Sequence, residues 1–223
     1  MELTKEQVQI LENRLQKKGL VYWDIRIEIL DHLVSEIEAK MIKGESYKSA
    51  VENSLQKLHL NGNLHHLNRS RLIGINKIVK KQFFNEVLQV FKRLNTLLAF
   101  SIFILVYSFS FFNANSTLFK YITFSFLAVP VLLGVYLHLK EFYIKKKSGY
   151  LIYTSFYVFF GILLLNMLFQ FCKPEGLIPV TETTQKLIWF IATIVNTTLS
   201  FAGLNLHFKT LKRIKTIQLD LVK

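Results

Sequence analysis

From residue 94 onward the chain reads as long apolar stretches separated by short polar ones, near residues 97–112, 121–139, 150–171 and 187–206. A helix needs roughly 20 residues to cross a hydrocarbon core about 30 Å thick. The last three stretches have that length, and the first reaches it once Leu94 to Thr96 are added. The pattern predicts four transmembrane helices within residues 94–210. Pro130 is placed to kink the second, while Pro174, Gly176 and Pro179 end the third and delay the fourth. Tyr107, Tyr121, Tyr136, Tyr143, Tyr150 and Tyr153 fall near the expected membrane interfaces, where amphipathic rings settle.

Residues 1–68 follow a different rhythm, with apolar positions at helical spacing between polar ones. Thr4 and Gln7 form a capping-box pattern, Val8, Leu11 and Leu15 share one face, and Gly19 ends the first helix. A second helix starts near Asp24, with Ile25, Ile29, Leu33, Ile37 and Met41 in a stripe widened by Leu30 and Val34, and stops at Gly44. Ser46 caps a third helix carrying Tyr47, Ala50, Val51, Leu55 and Leu58, which Asn61 and Gly62 end. Three such faces bury one another in a small bundle. Residues 69–93 read as a basic amphipathic linker helix. Leu72, Ile75, Val79 and Phe83 lie on its apolar face, joined by Phe84, Val87, Leu88 and Phe91. This helix suits a bilayer surface better than a free stalk. Residues 211–223 form a basic tail.

Composition sharpens this division. The chain has 223 residues, is 51% hydrophobic and includes 20 Phe. Its formal charge of +13 is uneven: the first 60 residues hold 9 basic against 10 acidic groups, and the remainder holds 19 against 5. Direct nucleic-acid binding is not expected, because the positive charge flanks the apolar stretches, where anionic headgroups and membrane orientation account for it. Arg69, Arg71, Lys77, Lys80, Lys81, Lys92 and Arg93 precede the first span. Lys140, Lys145, Lys146 and Lys147 separate the second from the third, and Lys209, Lys212, Arg213, Lys215 and Lys223 follow the fourth. Only Lys120, Lys173 and Lys186 fall on the other side. The positive-inside rule then places both termini in the cytoplasm. Residues 1–20 lack the uninterrupted apolar core of a signal peptide, so the first span is expected to target the chain. The single cysteine, Cys172, cannot form an internal disulfide and reads as a small filler at a helix end.

Candidate chemistry is sparse. Glu28, His32 and Glu36 are spaced i, i+4, i+8 on one face, with Asp31 beside them. Metal sites in bundles use such spacings, but no second helix offers matching ligands, so no metal is assigned. The four residues read as a solvated face or a partner-binding surface. His59, His65 and His66 lack further ligands and read as a solvated linker. Inside the membrane, Asn166 and Gln170 of span three and Thr193, Asn196, Thr197 and Ser200 of span four form a mild polar face, with Gly203 along the same side. Such residues chiefly join helix to helix. No acidic residue falls well inside a span, which counts against a proton-coupled pump. No phosphate-binding loop, HExxH pattern or GxSxG elbow occurs, so neither catalysis nor a cofactor is expected.

The run Tyr22-Trp-Asp-Ile-Arg-Ile-Glu-Ile-Leu-Asp-His-Leu, with Glu36, Gly44-Glu-Ser-Tyr and Ala50, resembles the helical HAAS or permease-prefix domain of bacterial multi-pass membrane proteins. The resemblance covers about a quarter of the chain. The Gly-(Ser or Asp)-Pro turn of such domains is replaced here by Leu60-Asn-Gly-Asn-Leu. It implies a signalling or sequestration role beside PadR-type transcription regulators and brings no catalytic residues. The combined expectation is an all-α protein of the bacterial cytoplasmic (inner) membrane. A small cytoplasmic helical bundle precedes a four-helix transmembrane domain, and the chain serves as a membrane-anchored regulatory module. Its expected partners are the lipid bilayer, a cytoplasmic regulator and further copies of itself. The alternative is a subunit or accessory component of a transporter.

Overall fold

The computed structural model describes residues 2–143 and 147–220, with side chains as far as Ile217. Lys145, Lys146 and Lys223 of the charge balance lie outside the described residues, as does the end of the basic tail. Every element assigned among the described residues is an α-helix. The chain divides into two compact units, Met1–Lys77 with Tyr143–Tyr150, and Ile78–Phe142 with Leu151–Lys223.

The first unit contains α1 (Lys5–Lys17), α2 (Trp23–Ile42), α3 (Tyr47–Lys57) and the start of α4 (His65–Lys92). The expected capping box is formed: Gln7 N–H donates to Thr4 Oγ1 at 3.3 Å, and Thr4 N–H donates to Gln7 Oε1 at 2.9 Å. Ser46 Oγ caps α3 by accepting from Ser49 N–H. α1, α2 and α3 all end in one way. The residue after the C-cap takes a positive φ, and the next N–H turns back to a carbonyl five residues earlier. Gly19 and Gly44 supply that conformation in α1 and α2, while His59, at φ 55°, supplies it in α3. The closing bonds are Leu20 N to Leu15 O, Glu45 N to Lys40 O and Leu60 N to Leu55 O. The third helix therefore turns at His59, before the Asn61-Gly62 pair expected to end it.

Leu11, Leu15, Ile25, Ile29, Leu33, Ile37, Val51 and Leu55 are buried in this unit, as their spacing requires, and α2 packs against both α1 and α3. Arg26 is buried too. Its guanidinium donates to Glu12 Oε1 at 3.0 Å and to the carbonyls of Leu20 and Val21. Lys18 donates to the carbonyls of Leu60 and Asn61, tying the end of α1 to the segment after α3, and its desolvation there lowers its pKa. The unit extends beyond residue 68, since α4 begins at His65 and belongs to it through Lys77.

The second unit contains the rest of α4, α5 (Leu94–Asn113), most of α6 (Ser116–Tyr143), α7 (Gly149–Phe156) from Leu151, α8 (Phe160–Phe171) and α9 (Glu182–Asp220). Four segments are long and apolar enough to cross a membrane: Leu94–Asn113, Ser116–Tyr143, Gly149–Phe171 and Glu182–Ile217. Tyr107, Phe119 and Trp189 form a buried aromatic cluster with Phe103, Phe111, Phe126 and Phe190 packed around it. Tyr107 is thus enclosed by protein side chains, and its hydroxyl is satisfied by Thr123 Oγ1 at 2.7 Å.

Within this unit part of the apolar face of α4 packs on protein, while Phe84, Leu88 and Phe91 stay exposed. Val79 and Phe83 are fully buried, Phe83 stacks on Tyr157 at 4.6 Å, and Glu86 accepts from Asn205 and Lys209 of α9. α6 holds Pro130 within one continuous helix, and an interruption that the sequence did not predict falls in span three at residues 157–159. There Val158 and Phe159 N–H reach carbonyls three residues back, a tighter bonding than the α-helix uses. Gly203 explains the location: a Cβ there would lie 2.4 Å from the Tyr157 carbonyl oxygen and 2.8 Å from Val158 Cα. α9 approaches the broken turn so closely that only glycine fits.

Candidate functional site

α2 carries the surface expected to meet a partner. Asp31 and His32 are exposed in its middle. The carboxylates on either side are engaged within the unit. Glu28 accepts from Arg71 of α4 at 2.9 Å, and Glu36 from Lys57 of α3 at 2.8 Å with Lys40 farther off at 4.0 Å. The Lys57 hydrogen bond holds the Glu36 carboxyl below the usual glutamate range. Among the described residues no three His, Cys, Asp or Glu side chains gather as metal ligands.

A stronger polar feature lies at the start of α2, within the first unit. Asp24 Oδ1 accepts from Gly149 N–H at 3.1 Å, and Oδ2 accepts from Ser148 Oγ–H at 2.9 Å and Tyr150 N–H at 3.1 Å. Trp23 N–H donates to Lys147 O at 2.8 Å. A helix leaves its first amides without internal partners and gathers partial positive charge there, so a carboxylate is a fitting cap. Asp24 serves as that cap for α7, 124 to 126 residues away in sequence. Gly149 permits the approach, since a Cβ there would meet Leu72 Cδ2 at 2.9 Å. The only sequence signal was an acidic residue in the first turn of α2, which any helix favours; nothing local names the partner.

The intramembrane polar residues separate into two groups. Asn166 and Gln170 are exposed on α8 and bond to each other at 3.0 Å. Thr193, Asn196 and Ser200 are buried on α9, with Thr197 beside them, and among the described residues the side chains of Asn196, Thr197 and Ser200 find no hydrogen-bond partner. Asn196 is fully buried, and its Oδ1 lies only 2.6 Å from where a Cβ on Gly161 would stand. Gly161 and Gly203 are the small residues that let α8 and α9 meet, as helix association in lipid requires. Sequence spacing grouped six polar residues on one face, but the fold keeps only the α9 members inside. Farther along α9, His207 is buried with Nδ1 bonded to Thr154 Oγ1 at 3.1 Å, and His138 of α6 bonds Ser155 at 3.0 Å.

Comparison with family models, curated proteins and solved structures finds no match to the chain. What the chain displays is a multi-pass helical membrane architecture: a helical head, a four-span bundle, and a carboxylate from the head's second helix capping the helix that opens the third span.

Proposed function

We propose that this chain is a membrane-anchored signalling or regulatory module of the bacterial cytoplasmic membrane, whose head recognises a cytoplasmic protein. The Asp24 cap on α7 carries the reading, because one carboxylate links the fold of α2 to the first turn of the helix that enters span three. A partner docking on the exposed Asp31–His32 part of α2 would act about two turns from that cap. The charge balance supports a cytoplasmic head with both termini inside. The resemblance of α2 and α3 to the HAAS or permease-prefix domain supports a PadR-type transcription regulator as the partner. The full chain in zwitterionic nanodiscs, used as bait, should capture one soluble DNA-binding regulator. Asp31→Lys with His32→Glu should abolish capture while leaving the melting profile unchanged. Capture that survives this pair of changes would refute the assigned surface.

A second reading, an accessory or subunit of a transporter, is favoured by the unpartnered side chains of Asn196 and Ser200 on the helix that faces the break in span three. Interrupted helices beside buried polar groups recur where transporters hold substrates. Co-purification from native membranes with an ATPase or permease chain, and no soluble partner, would decide for this reading.

A further inference from the structure

The three lysines that stand apart from the main basic clusters in sequence, Lys120, Lys173 and Lys186, all line one cavity of about 340 Å³ in the second unit. It lies where α6 and α9 begin and α8 ends. Among the described residues Glu182 is the only acidic one in its lining, and Trp189, Phe119, Phe124 and Phe169 supply aromatic wall. Lys186 is held in place: its ammonium donates to Ala114 O at 2.9 Å and lies 5.1 and 5.2 Å from the ring centroids of Phe111 and Phe119. Trp189 is 8% exposed, and its indole N–H meets no acceptor among the described residues. A buried donor of this kind is costly unless something accepts from it.

We propose that this cavity binds a phosphate group. Three ammonium groups and the hydroxyls of Ser116 and Thr117 outnumber what a carboxylate can accept. A phosphate brings more acceptor oxygens and more charge. The positive ends of α6 and α9 add to the field at their first residues. The same chemistry fits a phospholipid headgroup, whose acyl chains would lie along the aromatic wall, and a free phosphate or phosphate ester.

The test uses the full chain labelled with 5-fluorotryptophan in zwitterionic micelles. Its two tryptophans, Trp23 and Trp189, give two fluorine resonances, assigned with Trp23→Phe. Added phosphatidylglycerol should shift the Trp189 resonance saturably and leave Trp23 in place. Inorganic phosphate producing the same shift identifies a free-anion site; a shift with the lipid alone identifies a headgroup site. Lys120→Gln with Lys173→Gln, both exposed and expected to fold normally, should weaken the response about tenfold. Glu182→Gln, which removes the opposing charge, should strengthen it. A Trp189 resonance unmoved by both phosphate and phosphatidylglycerol would overturn the proposal, as would a response that Lys120→Gln with Lys173→Gln leaves intact. An unchanged melting profile of the variants shows that the fold has survived.

Discussion

Asp24 takes on more than any other side chain in the head, since its two oxygens meet the first amides of α7 and the Ser148 hydroxyl. Asp24→Ala leaves those donors without their acceptor and should cost about 2 kcal/mol, the range for hydrogen bonds to a charged group. Hydrogen exchange at Gly149 and Tyr150 should quicken accordingly while α3 stays protected. Backbone conformation sets a second pair of outcomes. His59 sits at φ 55° where glycine is at ease, so His59→Gly should raise the head's stability by about 0.5 kcal/mol, the αL strain being partly offset by the freer unfolded chain. Gly19→Ala should destabilise it by about 1–2 kcal/mol or more, because its φ is +108° and the His65 ring stands 3.0 Å from the new Cβ. Both are read by exchange of α1–α3 amides. Acid gives a third outcome. The hydrogen bonds from Lys57 to Glu36 and from Arg14 to Glu52 lower both carboxyl pKa values. Their contribution is therefore complete above the usual glutamate range and lost as pH falls through the depressed values. Protection of α1–α3 should decline over that acidic window and not between neutral and mildly alkaline pH.

Helix ends in the head were legible because each is written within a few residues: Thr4 with Gln7, Ser46, Gly19 and Gly44 all act on their own neighbours. His59 escaped the same reading because histidine gives no local hint of a left-handed turn, and Leu60 closing onto Leu55 is what holds it there. The break in span three escaped for a different reason. Its residues 157–159 contain neither proline nor glycine, and the glycine responsible stands on α9. Two helical glycines should therefore respond in opposite ways. Gly203→Ala would drive a methyl group into the Tyr157 carbonyl and should cost about 1–3 kcal/mol in unfolding from mixed micelles. Gly74→Ala, with nothing within 4 Å of the added carbon, should gain about 0.5–1 kcal/mol from helix propensity.

For the whole molecule, the expected orientation can be checked by cysteine labelling in a Cys172→Ala background. Ser46→Cys and Lys212→Cys, both at exposed positions, should resist a membrane-impermeant maleimide in intact cells and react once the membrane is opened. Thr183→Cys, also exposed, should react from outside. Reversed labelling would invert the topology inferred from charge. The number of spans, the helical class and most of the head's helix ends were determined by sequence alone. Span length, hydropathy and capping act over a few residues or over one continuous stretch, and the chain carries them wherever it folds. The tertiary structure alone decided which polar groups meet. It placed Asp24 at the start of a helix more than a hundred residues away and turned Asn166 and Gln170 outward while Asn196 went inward. It also gathered Lys120, Lys173 and Lys186 around one cavity. Such meetings depend on how helix faces pack and on where glycines let backbones approach, and neither is written in the local spacing of residues.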